Sequence, residues 1–194
     1  MKSSRVNTLF SIIDNVNSED PNKVIINDQT QAKELIYGQQ MTACLEKYWP
    51  QANELLQIAV RAQHIKRWHL KRDEFEMGKK GYFSWRIALG KFHAQLTQDL
   101  MLENEYSLIE AEQTAAIIRK EKLKTNSDSQ TLEDVACLVF LQHYFDEFAV
   151  KHSEEKIIRI LQKTWGKMSE KGQSIALTLT LPIHLSQLVE KALS

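Results

Sequence analysis

Apolar residues recur three and four positions apart through most of the chain, and few residues interrupt this spacing. Between Gln31 and Tyr48, for example, Met41 and Leu45 fall on one face of a helix. The chain has 194 residues but only six glycines and three prolines, the residues least compatible with a helix interior. This combination predicts an all-α, single-domain helical bundle of about seven or eight helices over residues 1–194.

Capping residues help to set the boundaries of the predicted helices. Ser84, Ser107 and Thr131 are expected N-caps, and Glu110 stands at the capping-box position relative to Ser107. Segment 174–182 alternates apolar and polar residues, but a lone strand would leave its backbone groups unpaired, so we expect a helix there. The predicted helices cover approximately residues 9–16, 31–48, 50–69, 85–103, 107–122, 132–150, 154–168 and 183–193.

Composition and cysteine use predict a cytoplasmic protein. Cys44 and Cys137 lie far apart in apolar helical contexts, which predicts buried, reduced thiols. The N-terminal apolar run is too short for a signal peptide, and no window approaches the ~20 apolar residues of a membrane span. We therefore expect no membrane partner. The formal net charge is zero, so overall charge identifies no partner either.

Three ionisable residues fall on apolar helical rows. His64 follows Val60 on one row, His93 follows Leu89 on a second, and Asp134 begins a third. Two histidines and a carboxylate from separate helices can bind one divalent metal ion, the cofactor that this set predicts. The alternative is that both histidines are hydrogen-bonded core residues and that Asp134 belongs to a capping box.

The order of these residues resembles that of the HD-domain phosphohydrolases, which are helical bundles. Those proteins have a first histidine, a His-Asp doublet about thirty residues later and a late aspartate, and here 29 positions separate His64 and His93. The resemblance implies an HD-like fold, metal-dependent phosphoester hydrolysis, and a role for Glu133 as a catalytic base or further ligand. Ala94 stands where the doublet has aspartate, so a single metal ion, or none, is implied.

Positive charge is concentrated between Arg61 and Lys91. This segment has nine basic and three acidic residues, with five aromatic residues interleaved and a sixth, Phe92, directly after it. Guanidinium groups bind phosphate through paired hydrogen bonds, so we predict Arg61, Arg67 and Arg86 as phosphate-binding residues. The predicted partner is a phosphorylated small molecule or a nucleotide, with nucleic acid as an alternative. A solvated loop between amphipathic helices would have the same composition.

Six motifs spread along nearly the whole chain resemble a family of uncharacterised bacterial and eukaryotic proteins, classed only as a domain of unknown function. The family resemblance implies a helical single-domain protein and no established activity. Three functions therefore stay open: a phosphohydrolase, a non-catalytic nucleotide- or RNA-binding module, and a helical interaction module. The motifs, in chain order, are EDPNK, ELIYGQQMT, RAQHIKRW, GYFSWR, LEDVACLVFL and KTWGKMS.

Overall fold

Helices dominate the structure, a computed structural model that describes residues 4–26 and 28–194. A π-helical turn, Phe140–Tyr144, joins the sixth and seventh helices. The all-α prediction is confirmed for the described residues. The elements are α1 (Ser4–Ser18), β1 (Lys23–Ile26), β2 (Gln29–Ala32), α2 (Lys33–Tyr48), α3 (Glu54–Ala62), α4 (Gly78–Leu102), α5 (Leu108–Ile118), α6 (Ser127–Val139), α7 (Phe145–Val150), α8 (Glu154–Trp165), α9 (Glu170–Leu177) and α10 (Ile183–Leu193).

Helix α3 lies at the centre of the bundle. It contacts α1, α2, α4, α5 and α6, and its residues Ile58, Ala59, Val60 and Ala62 have no exposed surface. A helix that is buried on most sides is apolar around most of its circumference, as α3 is over residues 58–60 and at 62. Both cysteines are buried and free, as predicted.

A small antiparallel hairpin precedes α2 and helps to fix where that helix begins. Strands β1 and β2 pair with Lys23 opposite Ala32. Ala32, the N-cap residue of α2, has no side chain that can cap the helix. Instead the buried carboxylate of Asp20 accepts a 3.0 Å hydrogen bond from the backbone N–H of Glu34. This hydrogen bond fixes the position of Glu34 in the first turn of α2. The negative charge of Asp20 also interacts favourably with the positive N-terminal end of the helix dipole.

The predicted third helix is too long, because α3 ends at Ala62 instead of continuing to His69. Lys66 adopts a left-handed conformation with φ 51°, which an α-helix cannot accommodate. Its backbone N–H is bound by the Asn17 side chain of α1 at 2.9 Å. His64 therefore lies in a turn after α3, and not on the continuous helical row that the sequence suggested.

Two predicted N-caps are also wrong, whereas a third is confirmed. Helix α4 begins at Gly78, which leaves Ser84 inside the helix. Asn126 caps α6 by accepting hydrogen bonds from two backbone N–H groups, so Thr131 lies within α6. Ser107 and Glu110 form the predicted capping box at the start of α5.

The C-terminal part of the chain is helical to a large extent. Segment 174–182 is helical up to Leu177, where α9 ends, and α10 follows Pro182.

A membrane-spanning helix needs about 20 apolar residues, and none of the helices in the described part of the chain meets that requirement.

Candidate functional site

The turn after α3, residues 63–66, exposes backbone groups that a helix would have satisfied. One of them, the Ile65 carbonyl, accepts a 2.7 Å hydrogen bond from Nδ1 of His93 on α4. A carbonyl can only accept, so Nδ1 carries the proton and Nε2 of the neutral ring has a lone pair. Nε2 is buried and has no hydrogen-bond partner among the described residues.

His64, within the turn, is held by residues of α2. Its Nδ1 lies 3.2 Å from an oxygen of Glu34, and its ring stacks on Tyr37 with 4.1 Å between ring centroids. The His64 and His93 ring centroids are 6.0 Å apart, so the structure brings these two predicted residues together.

Burial and positive neighbours keep both histidines neutral. Desolvation lowers the pKa of His64 well below its usual value, and the charges of Arg67 and Arg86 lower it further. The pKa of His93 is lowered well below its usual value by burial first, and then by His64 and Arg67. Burial raises the pKa of the neighbouring Glu34 to about 7, although Arg67 opposes this shift. A largely desolvated carboxyl therefore lies behind His64.

A pocket of about 370 Å³ lies between this turn, one face of α4 and the C-terminal end of α5. Both histidines line it, together with apolar residues of α4. No carboxylate is found among the described residues that line the pocket. Its lining includes five cationic side chains, those of Arg67, Arg86, Lys91, Arg119 and Lys120.

The cations of the pocket differ in how far the protein itself neutralises them. Lys120 binds Glu133 directly, and Arg119 binds Glu121 at 2.6 Å. The remaining three are less neutralised. Arg67 lies 3.9 Å from the nearest Glu34 oxygen, whereas Arg86 and Lys91 have no ion pair in the described part of the chain. The pocket therefore keeps a net positive charge.

Arg61 lies in the core and does not line the pocket, contrary to the phosphate-binding role predicted from the sequence. Its guanidinium binds both carboxylate oxygens of Asp14, one of them at 2.7 Å, and donates to the Thr42 hydroxyl at 3.1 Å. It also lies 5.2 Å from the centre of the Phe10 ring. All three guanidinium nitrogens therefore have partners in the core, and Arg61 is not among the described residues that line the pocket.

Asp134 is placed to organise α9, and the structure does not bring it to the histidines. Its carboxylate accepts hydrogen bonds from Gln130 at 3.0 Å and from the Ser169 backbone at 2.8 Å and hydroxyl at 2.5 Å. Within the two described ranges, no three or more His, Cys, Asp or Glu side chains are grouped so that they could hold a metal ion. The predicted centre of His64, His93 and Asp134 is therefore not found in these ranges.

Glu133, the predicted catalytic base, acts as a counterion to lysines. It is bound to Lys120 and lies 3.7 Å from Lys167. Burial is the largest single influence on its pKa and raises it, but the charge and hydrogen bond of Lys120 outweigh burial and the pKa is lowered. A carboxylate held in its charged form by an ammonium group is a weak proton acceptor.

Two contributors to the site were missed by sequence reasoning. Glu34 stands four and seven positions before Gly38 and Met41, a buried helical row of the same type that singled out His64 and His93. That row was a usable signal. Lys120 gave no such signal, because the sequence placed it inside the predicted helix 107–122, whereas α5 ends at Ile118 and Lys120 follows it with a left-handed φ of 56°.

Comparison with known proteins gives one family match. A family model described as Domain of unknown function (DUF4202) matches residues 7–189. No curated protein matches the chain, and neither does any solved structure. The match covers almost the whole sequence and confirms the resemblance seen in the six motifs.

Proposed function

The chain belongs to this family of unknown function, and we propose that it binds a small phosphorylated molecule in the pocket between the turn, α4 and α5. The observation that carries this proposal is the composition of the pocket: five cationic side chains and no carboxylate among the described residues that line it. Cationic donors form strong, charge-assisted hydrogen bonds with phosphate oxygens. A volume of about 370 Å³ is in the range of small-molecule sites.

Arg67 and Arg86 are the proposed phosphate ligands. Arg86 is exposed at the pocket and has no ion pair among the described residues. Arg67 is oriented by its 5.0 Å contact with the Trp85 ring and only weakly engaged by Glu34. Both arginines line the same pocket as His64, so their guanidinium groups lie in one region. A dianion between them would relieve their mutual repulsion.

Titration of the purified protein with inorganic phosphate at low ionic strength tests the proposal directly. We expect saturable heat exchange, and we expect Arg86→Gln to weaken binding about tenfold to a hundredfold, the effect of losing a hydrogen bond to a charged group. Arg159→Gln is the matched control, because Arg159 is an exposed arginine of α8 that does not line the pocket. Equal phosphate affinities for the two variants would refute the proposal.

A nucleotide is the second candidate ligand. A neighbouring hollow of about 660 Å³ shares Arg67 with the pocket and is lined in part by Trp68 and Trp85. Indole rings stack on nucleobases, so a phosphate at Arg67 would place a base within reach of this hollow. Adenosine monophosphate should then bind more tightly than ribose 5-phosphate and quench tryptophan fluorescence. Binding of RNA instead would show a steep loss of affinity with salt.

Hydrolysis of the bound ester stays a prediction from the HD resemblance. The support for it is that two neutral histidines line the pocket, and an imidazole ring is the group that most often acts as a general base. Release of phosphate from a simple ester, measured with and without a divalent metal ion, tests this step. A rate that is equal in the His64→Gln variant would contradict it.

A further inference from the structure

The pocket selects its ligand by more than charge, because Nε2 of His93 has no hydrogen-bond partner in the part of the chain that the structure describes. The other side chains with charge or strong polarity at the pocket are mostly donors, namely arginine and lysine. Nε2 of His93 is different, because Nδ1 is committed to the Ile65 carbonyl at 2.7 Å and leaves Nε2 as an acceptor. A phosphate oxygen without a proton cannot fill that role, since it is also only an acceptor.

Protonation of the ring would turn Nε2 into a donor, but the surroundings oppose it. Burial is the largest influence that lowers the pKa of His93, followed by His64 and Arg67. His93 is also the most buried polar group of the pocket, with 2 % of its surface exposed. A buried acceptor without a partner is costly, so a group that donates to it gains binding free energy.

We propose that Nε2 of His93 accepts a hydrogen bond from an O–H group of the bound phosphate ligand. The inference rests on the proposed function and specifies its substrate class: a phosphate compound with a hydroxyl, either on the carbon skeleton or on phosphorus. His93 lines the pocket but its Nε2 is buried, so only a group as small as a hydroxyl, admitted by a shift of the neighbouring side chains, can reach it. His93 thereby distinguishes among anions that the arginines attract equally.

Two matched pairs of ligands test the inference on the full-length protein. Glycerol 3-phosphate and propyl phosphate carry the same charge, and only the first has alcohol hydroxyls. Inorganic phosphate and sulfate differ near neutral pH in that phosphate retains a P–OH proton. We expect the wild-type protein to prefer the O–H member of at least one pair by about fivefold to a hundredfold. Which pair shows the preference identifies the source of the O–H group.

Two substitutions at His93 provide the control. His93→Asn retains a donor near the position of Nδ1, which can still bind the Ile65 carbonyl, but removes the acceptor. His93→Gln places an amide oxygen near the position of Nε2, which can still accept. We expect His93→Asn to bind both members of each pair equally and His93→Gln to retain part of the preference.

The outcomes separate this inference from the proposed function. Wild-type protein that binds phosphate without preference in either pair would overturn the inference and leave the proposed function intact. A preference that persists in His93→Asn would also overturn it. Failure of the wild type to bind any of the four anions would refute the proposed function itself.

A measurement on the wild type keeps the test independent of whether the variants fold. Imidazole ¹⁵N spectra identify the protonated nitrogen of each histidine. We expect Nε2 of His93 to resonate as an unprotonated nitrogen and to shift on addition of the preferred ligand, but not on addition of its partner lacking the O–H. An Nε2 resonance that both ligands leave unchanged would contradict the proposal.

Discussion

Replacing Arg61 with methionine should destabilise the protein and leave phosphate binding intact. Methionine fills much of the space of the arginine stem but removes the ion pair with Asp14 and the hydrogen bond to Thr42. In the native structure the Arg61 side chain is only 10 % exposed, so the charge that it neutralises lies close to the core.

The expected loss of stability follows from the Asp14 carboxylate, which loses its partner when Arg61 is replaced. Removing one partner from a buried ion pair costs about 3–5 kcal/mol, because the other charge stays desolvated. The Asp14 side chain is 28 % exposed, so water relieves part of this penalty. We therefore expect a loss of about 2–3 kcal/mol in the free energy of unfolding. For a domain of this size that corresponds to about 4–12 °C in Tm.

The assay combines denaturant unfolding, followed by circular dichroism, with a phosphate titration of the folded protein. Arg86→Met is the reciprocal control, because Arg86 is exposed and lines the pocket. It should change the free energy of unfolding by less than about 0.5 kcal/mol and weaken phosphate binding. Arg61→Met should show the opposite pair of results.

Two results would refute this division between a structural and a ligand-binding arginine. A stability loss below about 1 kcal/mol for Arg61→Met would mean that the Asp14 contact contributes little. A loss of phosphate affinity in the folded variant would mean that Arg61 belongs to the site after all.

Three further predictions concern other parts of the structure. Gly172→Ala should lower stability by about 1–3 kcal/mol in denaturant unfolding, because its Cβ would lie 2.7 Å from the Asp134 carboxyl carbon. Gly90→Ala, in open space within α4, should instead stabilise by about 0.5–1 kcal/mol; a loss in both variants would contradict the steric argument. The Glu34 pKa, raised to about 7 by burial, favours the protonated carboxyl in the folded state. The stability of wild type relative to Glu34→Gln should therefore fall as pH rises from about 4.5 to 7, by about 3 kcal/mol, and level off above 7; a difference in free energy of unfolding between the two proteins that stays constant across this range would contradict the shift. Because no carboxylate is found among the described residues that line the pocket, added Zn²⁺ or Mn²⁺ should shift the Tm of wild type and Asp134→Asn equally, and a shift lost only in the variant would support the three-residue metal site.

The sequence alone determined the helical class of the protein and much of its element order. Apolar spacing is a local property, because residues three and four apart share a helix face whatever that face contacts. The capping box of Ser107 and Glu110 is equally local, and the structure has it where predicted. For the same reason the sequence correctly placed His93 on a buried helix face.

The partners of the polar groups were decided only by the tertiary structure. Arg61, Arg67 and Arg86 are indistinguishable by composition, yet Arg61 binds Asp14, 47 positions earlier, and the other two line the pocket. His64 likewise lies against Glu34, 30 positions away. No local pattern encodes which distant carboxylate reaches a given cation.

The end of α3 shows the same limit in the backbone. The apolar row of α3 continues through His64 in the sequence, so local spacing favours a longer helix. The chain turns instead, and side chains from α1 and α4 bind the N–H of Lys66 and the carbonyl of Ile65. Buried backbone groups outside a helix require such partners. Here they come from residues 17 and 93, which only the folded chain brings to the turn.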